Sequence, residues 1–433
     1  MRRTRWIASS LVFAVAAGIL TLALHPHRAR ANDATPVMSE GQIRDLDIAF
    51  YQRRVPRDPT GALDLARLGA LYLQRARETG SNEDLLRAED AARRSLQNRV
   101  TRNGAAAQLL ATSLMSQHRF TEAYAVARAL VATDSADASY RGMLAEIALE
   151  LGRYQEVPDA FRGVSSVSRS PQMTARLARW LEIQGKNEAA HQLLVDARAE
   201  VSRLSRVPAE QMAWFDLRVG DIALRNGRLS EAEQAFQAGL EAHPGDYRLL
   251  AALTRLEADR HEWRKAIESG QKAIETVLDP ATLGVLGEAY AALGDTVKAH
   301  EFFRVMEIAV LKQPGPFHRA WSLFLLDHAQ RVPEVLVKAQ EEIQTRKDIY
   351  GYDLLAWALH QAGRNREARE AMDSALAQGT RDASLFFHAG IIARVLDDSA
   401  STRHYLSQAL EVNPYFHPSQ PAVARAVLDS LGR

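Results

Sequence analysis

The sequence predicts an all-α solenoid, and three observations predict it. From about Gly104 onward one pattern recurs: an apolar helix with a small residue near its middle, a short polar turn often containing glycine, and a second helix opened by an acidic residue and alanine. The copies begin near Gly104, Ala138, Pro171, Ala213, Tyr247, Pro280, Pro316, Ile349 and Ala383, at intervals of 34, 33, 42, 34, 33, 36, 33 and 34 residues. A period of this length marks a stack of supersecondary units, each of which buries its apolar face only against its neighbours. The composition, 47% apolar and 25% charged, is that of an ordinary folded chain with a sizeable core.

The clearest copy runs from Ala213 to Pro244. Gly220 lies in its first helix, where the missing side chain lets the second helix approach, and Gly227 in the turn Asn226-Gly227-Arg228 takes the left-handed conformation that ends that helix. Ser230 is expected to cap the second helix, Ala232 and Phe236 to fill the space between the two, and Pro244 to stop it. Matching turns are Gly152-Arg153, Gly185-Lys186, Gly294-Asp295 and Gly363-Arg364, and the seventh copy keeps Leu286-Gly287, Tyr290, Ala299 and Phe303. These residues and this spacing resemble the tetratricopeptide repeat, a 34-residue helix-turn-helix unit. An earlier, divergent copy spans Ala62 to Leu96, with an insertion around Thr79 to Asn82, so the resemblance covers residues 62–414 as about ten repeats. It implies a right-handed superhelical solenoid whose first helices line a concave groove.

About eight extra residues follow Ala199, which places a hinge or a lengthened helix pair near residues 200–212. Residues 32–61 read as an N-terminal capping helix with Ile43, Leu46 and Phe50 on one face. Residues 415–433 read as a C-terminal capping helix with Val423, Val427, Leu428 and Leu431 as its apolar stripe. A stack needs such terminal units because an open end exposes core.

Residues 1–31 read as a secretory signal: arginines at positions 2, 3 and 5, an apolar run from Trp6 to Leu24, and a small-x-small site ending at Ala31. The run is also near bilayer-spanning length, so an uncleaved inner-membrane anchor is the alternative. Either way the chain is expected outside the cytoplasm, periplasmic or secreted. Cleavage after Ala31 leaves 49 basic and 53 acidic side chains, with no dense basic patch, and nucleic acid is not an expected partner. The chain contains no cysteine, so neither a disulfide framework nor a thiol nucleophile is available to it.

No catalytic constellation stands out. His261-Glu262-Trp263-Arg264-Lys265 opens like a metalloprotease helix but carries lysine where the second imidazole is required. Nucleophile-elbow, phosphate-loop and dinucleotide glycine motifs are missing. The expectation is a non-enzyme without cofactor or metal, working as an interaction scaffold that binds proteins or peptides; an envelope assembly factor or an accessory subunit of an enzyme complex are the other readings.

The resemblance places Trp214, Arg225, Arg248, Phe317, Phe324, Tyr350, Trp357, His360 and Phe387 on the groove. The rings among residues 317–387 lie either there or, if the register of the eighth unit is shifted, in the core. Asp221, Arg255 and Glu288 occupy one place in three consecutive units. They read first as an acid-base-acid ladder of inter-repeat ion pairs, and second as ligand contacts.

Overall fold

The structure, a computed structural model, describes residues 38–162, 170–205, 207–312 and 319–432. The expected signal lies outside the described residues, as does Phe317. The chain divides between Ile43 and Arg44. Of the part before that division the first turn of α1 (Glu40–Arg54) is described.

Among the described residues, ten helix pairs come after α1. They are α2 (Ala62–Thr79) with α3 (Asn82–Asn98), α4 (Gly104–Ser116) with α5 (Phe120–Thr133), and α6 (Ala138–Glu150) with the short α7 (Val157–Phe161). Next are α8 (Pro171–Ile183) with α9 (Asn187–Val201), α10 (Ala209–Arg225) with α11 (Leu229–Ala242), and α12 (Tyr247–Asp259) with α13 (Trp263–Ile274). The last four are α14 (Pro280–Ala292) with α15 (Thr296–Lys312), α16 (Arg319–Asp327) with α17 (Val332–Glu342), α18 (Ile349–Gln361) with α19 (Asn365–Leu376), and α20 (Ala383–Val395) with α21 (Ser399–Val412). α22 (Gln420–Leu431) follows. Among the described residues there is no strand, and no helix is long and apolar enough to cross a membrane.

The local chemistry explains the pairs. Six of the first helices open on a side chain that accepts from backbone N–H groups of the first turn: Asp137, Ser170, Asp246, Asp279, Asp348 and Asp382. The pair turns carry a residue at positive φ in all ten repeats, namely Gly80, His118, Gly152, Gly185, Gly227, His261, Gly294, Ala329, Gly363 and Asp397. Where glycine is absent the geometry is kept at the cost of backbone strain. Inside the clearest pair a Cβ on Gly220 would stand 2.2 Å from the Phe236 ring, and Ala232 and Phe236 are fully buried.

Three local expectations are corrected, at Ser230, on α1 and on α22, and the extra residues after Ala199 find their place. Ser230 is not the cap of α11: the helix starts at Leu229, and no side chain at its N-cap, Arg228, bonds the first turn. After Ala199, α9 ends at Val201 and α10 begins only at Ala209 and runs 17 residues, so the extra residues are shared between a longer connection and a lengthened helix. On α1 the buried positions are Arg44 and Ile48, while Leu46 and Phe50 are exposed, because Arg44 pairs inward with Glu78. On α22 Ala424 and Val427 are buried and Val423 is exposed.

Within Arg44–Arg433 the stack returns on itself. The turn of the third repeat docks on the loop before α18: Lys347 N donates to Leu151 O at 3.2 Å and Arg346 Nε to Glu150 O at 2.9 Å. Ile349 N there donates to Tyr154 Oη at 2.8 Å. The turn of the fourth repeat meets the loop before α20, where Thr380 Oγ1 donates to Ile183 O at 2.5 Å and Asn187 Nδ2 to Arg381 O at 3.0 Å. The fifth and sixth repeats meet the loop before α22 through Asn413 Nδ2 to Leu224 O, 2.9 Å, and His261 Nε2 with Pro418 O, 2.7 Å. Gly152 and Gly185 permit this seam: a Cβ on either would stand 2.1 Å from the carbonyl oxygen of Lys347 or Gly379.

Candidate interaction site

Because the seam closes, the first helices of the fourth to tenth repeats face a shared interior. They line a half-open cavity of about 630 Å³ whose wall also includes Asn413, Phe416, His417 and Pro418 of the last loop. Its lining is charged, unlike the apolar groove walls on which peptide helices usually lie.

On one side α8 and α10 bring three guanidinium groups to one carboxylate. Glu182, 6% exposed, pairs with Arg225, and with Arg179 and Arg218 at 3.4 Å each. Burial alone pushes the Glu182 carboxyl up, but Arg225, Arg179 and Arg218 together bring it down to about 2. Burial draws the Arg218 guanidinium below its ordinary value, with Arg225 and Arg179 adding repulsion. Asp221 stands 3.8 Å from Arg218, and the Tyr350 ring lies under Arg179 with its centroid 5.6 Å away. Three cations sharing one buried acid and one half-buried acid leave positive charge turned toward the cavity.

On the other side stand Asp259 of α12, Glu288 of α14, Asp327 of α16, and Asp353 with His388 from α18 and α20. Asp353 Oδ1 and His388 Nδ1 are 2.7 Å apart and both are buried. Burial lowers the imidazole, but the charge and hydrogen bond of Asp353 carry it above its ordinary value. Asp327 accepts from Trp357 Nε1 at 2.9 Å.

The groove positions separate accordingly. Arg225, Phe324 and Tyr350 line the cavity, and Trp214 lines an adjoining one of about 540 Å³ that shares Glu150, Arg179 and Arg218. Trp357 and Phe387 do not line it. They are 5% and 4% exposed, and Trp357 lies against the rings of His360, at 4.9 Å, and His388, at 4.2 Å. Their side of α18 and α20 turns into the inter-repeat core, so the core reading holds for these two rings. His360 is half-buried beside them and its Nδ1 meets Asn365 Oδ1. Arg248 is held by Asp246, at 2.6 Å, and Glu210, at 2.9 Å, and is absent from the cavity wall.

The ladder is corrected as well. Arg255 and Glu288 line the cavity, yet among the described residues no ion pair joins Asp221, Arg255 and Glu288 within 4 Å. Sequence spacing put them at one place per repeat, but in the structure Asp221 stands beside Arg218, three residues earlier on its own helix. Glu182, Asp259 and the Asp353–His388 pair were missed, because a buried charge on an amphipathic helix looks like any surface charge in sequence. No group of three or more metal-ligating side chains with metal-holding geometry occurs among the described residues.

Fold and cavity define a helical-repeat protein whose first helices face the inside of its coil. Residues 109–164 and 177–247 match the tetratricopeptide repeat family model, and the chain carries tetratricopeptide repeats. Such repeats support a protein–protein interaction scaffold. Among solved structures the chain is similar to a tetratricopeptide repeat protein from Parabacteroides merdae, with 16% identity over 61% of this chain and 99% of that one and a TM-score of 0.36. It is similar to the human IFIT1 dimer with PPP-AAAA, at 13% identity, 86% and 95% coverage and a TM-score of 0.44. It is also similar to the APC/C hetero-tetramer Cut9-Hcn1, at 12% identity, 92% and 97% coverage and a TM-score of 0.34. The curated proteins contain no match.

Proposed function

We propose that the chain is a non-catalytic interaction scaffold of the cell envelope that holds a segment of a partner protein in its interior cavity. The observation that carries this reading is the excess of guanidinium groups over carboxylates where Arg179, Arg218 and Arg225 meet Glu182, a charge that an acidic or carboxylate-bearing segment would complement. Export rests on the order of charged, apolar and small residues in positions 1–31. Envelope extract passed over the immobilised chain and over Arg218→Ala and Lys272→Ala variants tests the binding part. Lys272 is an exposed residue of α13, so its variant should retain what the wild type retains. Loss of the same bound protein with Arg218→Ala alone is expected, and equal retention by all three would overturn the cavity as the binding place. The mass of the native N-terminus tests export: a chain starting at Asn32 fits a cleaved signal, and an intact Trp6–Leu24 run fits a membrane anchor.

A further inference from the structure

Three charged side chains of the cavity have no hydrogen-bond or ion-pair partner among the described residues. Asp259 is 6% exposed and lines the cavity. Among the described residues it accepts no hydrogen bond and has no cation within 4 Å; the charges that act on it are Arg255, one helical turn earlier on α12, and Glu288. Glu288, from the next repeat, is likewise without a hydrogen bond or ion pair among the described residues, and Asp327 and His328 are its charged neighbours. Arg255 reaches the same volume and forms no ion pair with a described residue. Elsewhere in this protein buried charges are paired, as at Glu182 and at Asp353 with His388.

A buried carboxylate left without donors is costly, and such a group is retained where something else supplies the donors. Arg255 and Asp259 are four residues apart, so they share a helix face with about one turn of rise between them, on the order of 5–6 Å. That arrangement offers a cation site, formed by two acids, next to an anion site formed by one guanidinium. Aromatic and apolar groups close by, Phe324, Val285 and Phe416, provide a wall for a short carbon chain. We propose that Arg255, Asp259 and Glu288 form a binding site for a small zwitterion of the amino-acid class, its ammonium on Asp259 and Glu288 and its carboxylate on Arg255. The proposal does not rest on the partner-protein reading: it concerns a different set of side chains, and either can fail alone. The same two groups occur on a free amino acid and at the ends of a short peptide, and the experiment separates these sources.

Calorimetric titration of the full chain at pH 7.5 uses lysine, γ-aminobutyrate and trialanine, with butylamine and butyrate as ligands bearing one charge each. Binding by at least one of the three zwitterions, on the order of tenfold or more tighter than by butylamine or butyrate, is expected. Preference for trialanine over the free amino acids identifies a peptide end as the occupant, and the reverse identifies a free amino acid. In Asp259→Asn and Arg255→Gln the zwitterion should bind about tenfold or more weakly, with unfolding followed in parallel to verify that both variants remain folded. No heat from any zwitterion, equal binding of butyrate or butylamine, or affinity unchanged in both folded variants would overturn the assignment. If Arg218→Ala loses a partner protein while zwitterion binding is unchanged, the two sites are separate.

Discussion

Replacing Asp259 by asparagine should stabilise the protein, and by an amount that depends on pH. In the fold, burial pushes this carboxyl up to about 7 from an ordinary value of 3.8, with Arg255 acting against the rise and Glu288 adding to it. Below pH 3.8 the acid is protonated in both folded and unfolded chains and contributes no difference. Above that value the unfolded chain releases its proton while the folded chain keeps it, so stability falls as pH rises, until the folded group itself ionises near pH 7. A shift of about three pH units corresponds to a destabilisation on the order of 4 kcal/mol at pH 8 and to almost none at pH 3.5. Asparagine fits the same space and carries no charge at either pH. Urea unfolding of both proteins between pH 4 and pH 9, read by far-ultraviolet circular dichroism, should give curves that coincide near pH 4 and separate progressively to pH 8. A constant difference across the range, or a variant less stable at pH 8, would refute the burial of an unpaired acid at this position.

Other substitutions probe the packing. Gly220→Ala puts a methyl against the ring of fully buried Phe236, so overpacking of about 1–3 kcal/mol, less about 0.5–1 kcal/mol of helix propensity, should leave a net loss visible in thermal melting. Gly287→Ala meets Phe303 at the same 2.2 Å, but that ring is only half-buried and borders a surface cavity, so its melting temperature should fall less. Trp357→Ala should cost about 3–5 kcal/mol and deprive Asp327 of its indole donor; an unchanged melting temperature would return this ring to the groove. Ala329→Gly, at a turn with φ of 51°, should raise stability by about 0.5–1 kcal/mol, and a loss in chemical denaturation would contradict the strain assigned there. Because His388 is held above its ordinary value by Asp353, their pair contributes stability that is full below the unfolded value of 6.5 and is lost as pH rises through the folded one. His388→Gln should therefore flatten that part of the pH profile of unfolding.

The repeats were legible because each is written locally. Seven of the nine expected starts, Gly104, Ala138, Pro171, Tyr247, Pro280, Ile349 and Ala383, are the first residues of helices. They follow from a capping residue, a small residue at the close approach and a turn residue at positive φ, all within one unit. Ala213 falls four residues inside α10, because part of the inserted stretch starts that helix early and the rest lies between Val201 and Ala209. The eighth unit, whose turn lacks glycine, still bends at Ala329 and Arg331, since packing of the pair over-determines a conformation that the residues alone disfavour. The seam was not legible: its bonds run largely to backbone carbonyls almost two hundred residues away, and a carbonyl carries no residue code. Without the seam, the interior looks in sequence like an open groove, and Trp357 and Phe387 look like its aromatic anchors. Their burial follows from where neighbouring repeats stack.

The closure of the coil around its charged interior is what every functional inference here depends on, and the absence of cysteine makes it directly testable. Asn187 and Arg381, joined across the seam by a 3.0 Å hydrogen bond, can each be replaced by cysteine and treated with a short bismaleimide. Rapid cross-linking within one chain, independent of protein concentration and absent in both single-cysteine variants, is the predicted result. Failure to cross-link, or cross-links only between chains, would mean that the repeats stand open and that their first helices share no cavity.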